Sequence, residues 1–260
     1  MKNIYLNAGN IKDIFIDMSN QFEGILSSDE DHLNLEIDSC FAKGNIKILQ
    51  SQAGINLLEF DLMIYQNIRI SAEAISNSPI FFMYCTEGRL NHSFGDTSSK
   101  NMIAVQDKVI LKSQCSINSV LNFEKNIKVK FYLVIYQSQL IVAKEENMKL
   151  IKFLNSSLFN QTINFFEIKL QSKEIVKVLK ELSICTDSNH IAISSVETIL
   201  QNLLATEIKL NTDSLSIVLQ TVYSFLARKL ASIKKLFSTS ININSKIFST
   251  SLIIYKAKRS

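Results

Sequence analysis

The stretch Leu58-Glu-Phe-Asp-Leu-Met-Ile-Tyr65 decides the fold class of this 260-residue chain. Large apolar residues stand at every second position of the stretch, and most of the residues between them are polar. The apolar set is Leu58, Phe60, Leu62 and Ile64, and the set between them is Glu59, Asp61, Met63 and Tyr65. Because successive side chains of a β-strand point to opposite faces, this alternation predicts a half-buried strand.

Further short strands are predicted on the C-terminal side of this stretch. The β-type runs are Ile80–Cys85, Met102–Val105, Val109–Lys112, Ser119–Phe123 and Val129–Tyr136. Gly95-Asp96 supplies a turn between two strands, and all six glycines and the one proline lie within the first 95 residues. Repeated short strands joined by sharp turns predict an antiparallel β sandwich or barrel.

The hydrophobic period changes toward that of helices after Ala143. Lys173 to Leu182 and Ser194 to Leu210 both carry apolar residues at spacings of three and four, which predicts two amphipathic helices. Asp213 is the predicted N-cap of a third helix. The sequence therefore indicates an α+β fold, with an N-terminal β sandwich or barrel followed by helices.

Three regions follow from these patterns. A β-rich region spans residues 1–145, a helical region 146–212 and a tail segment 213–260, with joints expected near Asp187–Asn189 and Asn211–Asp213. The tail contains eight Lys and Arg and one acid, a net of 8 − 1 = +7, so the rest of the +4 chain carries 4 − 7 = −3. A basic tail behind a mildly acidic body is typical of a nucleic-acid-binding segment, although a chain rich in Ile, Lys, Asn and Ser also gains lysines by compositional bias.

Residue sets for catalysis or metal binding are not visible in the sequence. The four cysteines, Cys40, Cys85, Cys115 and Cys185, are widely spaced, and no two of the histidines His32, His92 and His190 are close enough to form a ligand pair. We interpret His92 as an exposed hairpin histidine, and the consecutive acids Asp29-Glu-Asp31 as a solvated loop. Nucleophile-elbow and phosphate-binding glycine motifs are also absent. We therefore expect no enzyme activity, no metal and no cofactor.

The sequence also indicates the cellular compartment. The N-terminus carries Lys2, Asp13 and Asp17 and has no apolar signal-peptide core, and no run reaches the roughly 18 apolar residues of a membrane span. Widely spaced cysteines fit a reducing compartment. We expect a cytoplasmic protein with no membrane partner.

The tail contains the segment Ser232-Ile-Lys-Lys-Leu-Phe-Ser-Thr-Ser-Ile-Asn-Ile-Asn-Ser-Lys-Ile247, followed by Leu252-Ile-Ile-Tyr-Lys256. It resembles the first helix-turn-helix of the AraC/XylS family of transcription regulators. The matching positions are Ser232, Ile233, Leu236, Ser245, Lys246, Ile254 and Tyr255. The order of a strand-rich region before helices also resembles that family's sensor and dimerisation arrangement, and the resemblance implies a cupin-like β domain.

Three positions depart from the family pattern. Phe237 stands where the family has a small alanine, Ile241 replaces the turn glycine, and Ser251 replaces a core phenylalanine. A β-branched residue in a turn that needs positive φ costs on the order of 1–2 kcal/mol, and overpacking at Phe237 adds about 1–3 kcal/mol. The family module has two helix-turn-helix units, and this chain stops at Ser260 after the first. We therefore expect a partial module with weak or impaired DNA binding.

Candidate site residues follow from this resemblance. On the expected recognition helix, Asn244, Ser245, Lys246 and Ser249 are candidates to contact bases or phosphates. Lys234 and Lys235 are candidates for contacts with the DNA backbone. Val196, Leu200, Leu203 and Leu204 form an apolar stripe that we interpret as the seam of a homodimer, although such a stripe is also typical of an ordinary core helix.

Two functional hypotheses lead from the sequence, ahead of a third, a cupin-like enzyme, for which no metal or acid/base set is visible. The first is a DNA-binding transcription regulator whose β-rich region senses a small-molecule effector. The second is a non-DNA-binding interaction protein that dimerises with intact regulators and blocks them. In either case the Ser232–Lys256 segment could be an ordinary helical hairpin with solvated lysines.

Overall fold

The architecture is that of a computed structural model. It describes residues 1–7, 11–29, 32–50, 55–74, 79–96, 99–113, 117–136, 164–187 and 195–207. Met1–Ile208 forms one compact unit. Every statement below about the structure concerns these described residues.

Thirteen strands and three helices are seen. The strands are β1 (Lys2–Leu6), β2 (Ile25–Asp29), β3 (His32–Asp38), β4 (Ala42–Gln50), β5 (Ile55–Ile64), β6 (Ile68–Ala72), β7 (Ile80–Glu87), β8 (Arg89–Phe94), β9 (Asn101–Ala104), β10 (Asp107–Lys112), β11 (Ser119–Phe123), β12 (Ile127–Tyr136) and β13 (Phe165–Leu170). The helices are α1 (Ile11–Phe22), α2 (Lys173–Asp187) and α3 (residues 195–207).

The strands form two sheets. The first, which we call the small sheet, has five strands in the order β1-β6-β11-β8-β9, and the large sheet has eight in the order β13-β10-β7-β12-β5-β4-β3-β2. All pairings are antiparallel except that of β1 with β6. The predicted α+β fold with an antiparallel β-rich region is confirmed.

The core lies between the inner faces of the two sheets. One hydrophobic cluster joins residues of both sheets to Phe15, Met18 and Phe22 of α1. The Phe60 and Phe131 rings stack within it, with centroids 4.4 Å apart. This cluster unites the small sheet, the large sheet and α1, which accounts for a single compact unit.

Gly88 turns the chain from the large sheet into the small one. Its φ is +73°, and a Cβ built there would lie 2.0 Å from the carbonyl oxygen of Lys128. Only glycine fits a left-handed conformation so close to a neighbouring backbone. We infer that this residue fixes the crossing between β7 and β8.

The predicted strands are confirmed, but strands β1, β2, β3, β4, β6, β8 and β13 and helix α1 were not predicted. Helix α1 lies in a region for which the sequence reading assigned no element. Strand β13 lies inside the region expected to be helical, so that expectation was wrong for residues 165–170. Its residues pair with β10 from Asp107↔Leu170 to Lys112↔Phe165, and this pairing at the edge of the sheet supplies the reason for an extended conformation.

The expectation of a half-buried strand was wrong for the middle of β5. Glu59, predicted on the solvent side, is 2% exposed, and the outward Leu57 is fully buried. Helices α2 and α3 cover this outer face: Lys47 of β4 donates to a carbonyl of α2, and Tyr84 of β7 bonds to the end of α3. Both faces of the strand are therefore buried.

Helix α2 begins where the sequence predicts. Ser172 caps it, because its Oγ accepts a hydrogen bond from the amide of Ile175 at 3.2 Å.

Among the described helices, none is both long and apolar enough to span a membrane.

Candidate functional site

An apolar cavity of about 150 Å³ lies between the two sheets, beside α1. We call it the inner cavity. Both sheets and the inward side of α1 supply its apolar walls. The apolar lining residues are Leu6, Ile11, Ile14, Met18, Leu58, Phe60, Ile70, Ala72, Pro79, Phe81, Met83, Leu111, Leu121, Leu133 and Ile135. A space of this size and chemistry matches a benzene-sized ligand.

Polar groups occur at one end of the inner cavity. Asn7 follows β1, Glu73 follows β6 and Ser119 begins β11, so the three meet where these neighbouring strands end or start. Asn56 adds a fourth polar group from the large sheet. An apolar space with a few polar groups at one end is typical of a small-molecule site, in which those groups set the ligand's orientation.

His92 stands behind this polar end. Its Nε2 shares a 2.9 Å hydrogen bond with Ser119 Oγ, and its ring stacks on Phe166 with centroids 5.2 Å apart. The side chain is fully buried, and its Nδ1 makes no hydrogen bond. The interpretation of His92 as an exposed hairpin histidine was therefore wrong: it points inward from β8 into the core rather than outward near the turn.

Burial also determines the charge state of His92. Desolvation lowers its pKa to about 4, so the ring is neutral at physiological pH. A neutral imidazole carries one donor and one acceptor nitrogen. If Nε2 donates to Ser119, the serine hydroxyl keeps its own proton, which leaves a donor at the polar end of the cavity.

The outer face of the large sheet carries a row of polar side chains. Strand register places Lys47 opposite Glu59, Glu59 opposite Tyr132, Tyr132 opposite Tyr84, and Tyr84 opposite Lys108. We call these five residues the polar row. Residues directly opposite each other in a sheet share a face, so the row crosses five neighbouring strands at one level.

One end of the polar row holds α3. Tyr84 Oη donates to Glu207 Oε1 at 3.0 Å, and Lys108 Nζ donates to Glu207 Oε2 at 2.7 Å. All three residues are at most 4% exposed. Burial, together with the nearby Glu207 carboxylate, raises the pKa of Tyr84 well above its usual value. Since a buried charge is tolerated only when it is paired, this contact fixes the end of α3 on the sheet.

The centre of the polar row holds α2. Tyr132 Oη donates to Glu59 Oε1 at 3.2 Å and is hydrogen-bonded to Ser183 of α2, while Lys130 Nζ lies 2.9 Å from the same Glu59 oxygen. Lys47 Nζ donates to the carbonyl of Thr186 at 2.9 Å. Burial raises the pKa of Tyr132 to about 12, so its proton stays in place.

The two faces of the large sheet are linked through shared strands. Strand β7 contributes Met83 to the inner cavity and the adjacent Tyr84 to the polar row; β12 does the same with Leu133 and Tyr132. Strands β7 and β12 therefore border the inner cavity on one face and contact the two helices on the other.

The predicted dimerisation stripe is buried inside the single chain. Val196, Leu200, Leu203 and Leu204 of α3 are 2%, 2%, 0% and 3% exposed. Because these side chains are already covered within the chain, they are not exposed for pairing with a second copy. The homodimer remains a prediction.

The predicted DNA-contacting residues lie outside the described part of the chain. These are Lys234, Lys235, Asn244, Ser245, Lys246 and Ser249. The polar row was not predicted from the sequence, and His92 was wrongly predicted to be exposed. Glu59 and Tyr132 are visible as polar residues of their strands, but only the strand register brings them together.

In the described ranges, no three His, Cys, Asp or Glu side chains are grouped so that they could hold a metal ion. The expectation of no bound metal remains a prediction.

Comparison with known proteins gave matches of fold only. No protein-family profile matches the sequence, and no curated protein matches it. Among solved structures, the AraC-like transcriptional activator CuxR matches over 65% of this chain and 54% of its own, with 7% identity and a TM-score of 0.39. Unsaturated fatty acid bound wild-type ToxT from Vibrio cholerae matches over 58% and 53%, with 9% identity and a TM-score of 0.34.

A cupin domain of an XRE family transcriptional regulator from Enterobacter cloacae matches over 35% of this chain and 93% of its own, with 8% identity and a TM-score of 0.28. The matched part of this chain spans about half the length of CuxR and of ToxT.

Proposed function

We propose that this protein is a DNA-binding transcription regulator whose β-rich unit senses a small, largely apolar effector. The observation that carries the proposal is the inner cavity, an apolar space of about 150 Å³ with polar groups at one end. The net +7 tail and its resemblance to an AraC/XylS helix-turn-helix support the DNA-binding part. The proposal includes no catalytic step.

Transmission from effector to tail would follow the shared strands. A ligand in the inner cavity presses on β7 and β12, whose other faces hold α2 and α3 through the polar row. Helix α3 is the last described element before the basic tail. An effector would then change how firmly this helix is held, and so the presentation of the tail.

DNA binding is expected to be weak and sensitive to salt. Each neutralised phosphate releases counterions, and non-specific dissociation constants of roughly 10⁻⁴–10⁻⁶ M are typical at physiological salt. Ile241 and Phe237 depart from the helix-turn-helix pattern that this segment resembles, so we expect no nanomolar binding. The Lys246→Ala variant should bind more weakly, whereas Ile241→Gly combined with Phe237→Ala should stabilise the tail.

Fluorescence anisotropy with a labelled mixed-sequence duplex tests this part of the proposal. The matched control is Lys43→Ala, which removes an exposed lysine of β4 that is paired with Asp38, far along the chain from the tail. Weaker binding by Lys246→Ala than by Lys43→Ala supports the proposal. Nanomolar binding to one site at physiological salt would show that the tail is an intact DNA-binding module.

The alternative is a non-DNA-binding protein that dimerises with intact regulators. The departures at Phe237 and Ile241 favour it, because they weaken the part that would contact DNA. An absence of DNA binding even at low salt would support this alternative over the regulator proposal.

A further inference from the structure

A second cavity, of about 350 Å³, lies outside the β sandwich, between α2 and the large sheet. We call it the outer cavity. It forms at a β-bulge: Lys130 pairs with Glu87 and Phe131 pairs with Cys85, so Thr86 is an extra residue in β7. Bulges locally open a sheet and redirect side chains, and they are frequent beside binding sites.

The sheet wall of the outer cavity offers hydrogen-bond acceptors. Thr86 donates its hydroxyl proton to the carbonyl of Lys130, and Tyr132 donates its proton to Glu59. Gln171 uses its amide nitrogen to donate to two backbone carbonyls, those of Cys85 and Asp107, each at 2.9 Å. With these protons committed, the side-chain oxygens of Thr86 and Gln171 can accept hydrogen bonds from a ligand, whereas the Tyr132 oxygen is already bonded to Ser183 of α2.

The charges around the outer cavity are largely balanced. Lys130 is paired with Glu59 at 2.9 Å and with Asp61 at 3.6 Å, and Glu87 is paired with Lys128 at 2.9 Å. Lys180 lies on the solvent-exposed side of α2, where water screens it. A charged ligand would therefore gain little from this wall, and an uncharged one fits it better.

Helix α2 lines the other side of the cavity with Val176, Leu179, Lys180 and Ser183. Val176 and the buried Leu179 give this side its apolar surface. We propose that the outer cavity binds a small uncharged diol with a flat apolar face, whose hydroxyls donate to the sheet while its ring packs on α2. This ligand site is separate from the inner cavity and does not depend on the protein being a DNA-binding regulator.

Resorcinol and 1,3-dimethoxybenzene form a matched pair of probes for this site. Both have the same ring and substitution pattern, but only resorcinol has hydroxyl protons to donate. Titration of the full chain with each compound is followed by NMR of methyl-labelled protein, with the Val176 and Leu179 methyls as reporters. The Met83 methyl, which lines the inner cavity, reports ligand that enters the other site.

Resorcinol should shift the Val176 and Leu179 methyls and bind at least about tenfold more tightly than 1,3-dimethoxybenzene, as expected for two lost hydrogen bonds. The variant Thr86→Val should weaken resorcinol binding about threefold to tenfold, and Ser119→Ala at the inner cavity should leave it unchanged. The comparison of the two probes needs only the unmodified chain, so it remains informative if Thr86→Val fails to fold.

Three results would overturn the proposal. One is the absence of any shift of the Val176 and Leu179 methyls at about 10 mM resorcinol, which excludes even millimolar affinity. Another is equal affinity for the two probes, which would show that the acceptor wall plays no part. The third is a resorcinol response confined to Met83, which would assign the compound to the inner cavity.

Discussion

The inner and outer faces of the large sheet bury side chains by different physical means. On the inner face, Leu58, Phe60 and Leu133 meet other apolar groups and leave a small apolar cavity. On the outer face, Glu59 and Lys108 are equally buried, but each is paired with an opposite charge. Apolar packing is non-directional and tolerates a gap, whereas buried ions need fixed partners. The inner face is therefore suited to receive a ligand, and the outer face to hold helices in one position.

The largest expected effect is on the outer face, in the variant Glu207→Gln. It leaves the Lys108 ammonium buried without its counter-charge, which costs about 4 kcal/mol of unfolding free energy. Urea denaturation monitored by circular dichroism measures the loss. The matched control is Glu181→Gln on α2. The carboxylate of Glu181 is half exposed and forms a long ion pair of 4.0 Å with Lys177, so this variant should lose less than about 0.5 kcal/mol of unfolding free energy.

Replacing both charges on the outer face sharpens this prediction. Lys108→Met combined with Glu207→Leu and Tyr84→Phe removes the ion pair together with the hydroxyl that donates to it, so no charge or donor is left unpaired and the stability should be close to that of the unmodified chain. If Glu207→Gln lies within about 1 kcal/mol of the unmodified chain, the outer face does not depend on charge pairing and the contrast between the faces is lost.

The next effect concerns the neutral histidine of the interior. The folded pKa of His92 is about 4 and the ordinary value is 6.5. Below pH 6.5 the unfolded chain binds a proton that the folded chain does not bind until the pH approaches 4. The folded state should therefore lose about 3 kcal/mol of stability as the pH falls through this interval.

The variant His92→Phe isolates this contribution. It keeps a ring against Phe94 and Phe166 and removes the titrating group, so its unfolding free energy should fall less steeply between pH 6.5 and pH 4. Urea titrations at several pH values measure both slopes. Parallel slopes for the two chains would mean that His92 takes up its proton over the same pH range in the folded and the unfolded state. The folded protein would then not shield this side chain from water.

How far the sequence predicted the molecule differs between the two faces. The alternation from Leu58 to Tyr65 correctly predicted the strand and its inward residues, because a period of two follows from strand geometry alone. It could not predict that Glu59 is buried, since the cover is supplied by α2 and α3, which come more than a hundred residues later. The hydrophobic period of a segment predicts which residues share a face, but it does not predict what packs against that face.

The same limit applies to the candidate sites. The inner cavity requires side chains from α1 and both sheets, and His92 joins it only through the pairing of β8 with β11. The polar row requires five strands in register. A helical stripe such as Val196 to Leu204 indicates a buried face, yet the same pattern serves a dimer seam or a core helix.

The smallest expected effect compares two adjacent leucines of β5. Leu57 packs on the outer face, and Leu58 borders the inner cavity. Atoms beside a void already lack contacts on one side, so Leu58→Ala should cost about 1 kcal/mol less than Leu57→Ala, each within the range of about 2–5 kcal/mol. Urea denaturation of both variants measures the difference, and a larger loss for Leu58→Ala would show that the cavity is filled by packing.

The most direct test of the account is whether a ligand in the inner cavity reaches the helices on the other face of the sheet. Hydrogen exchange is measured with and without saturating benzene, on the unmodified chain and on Ala72→Leu, which fills part of the cavity. The account predicts that benzene changes exchange in residues 173–187 and 195–207 by about threefold or more, and that Ala72→Leu abolishes the change. Protection confined to the strands that line the cavity, with both helices unchanged, would contradict it.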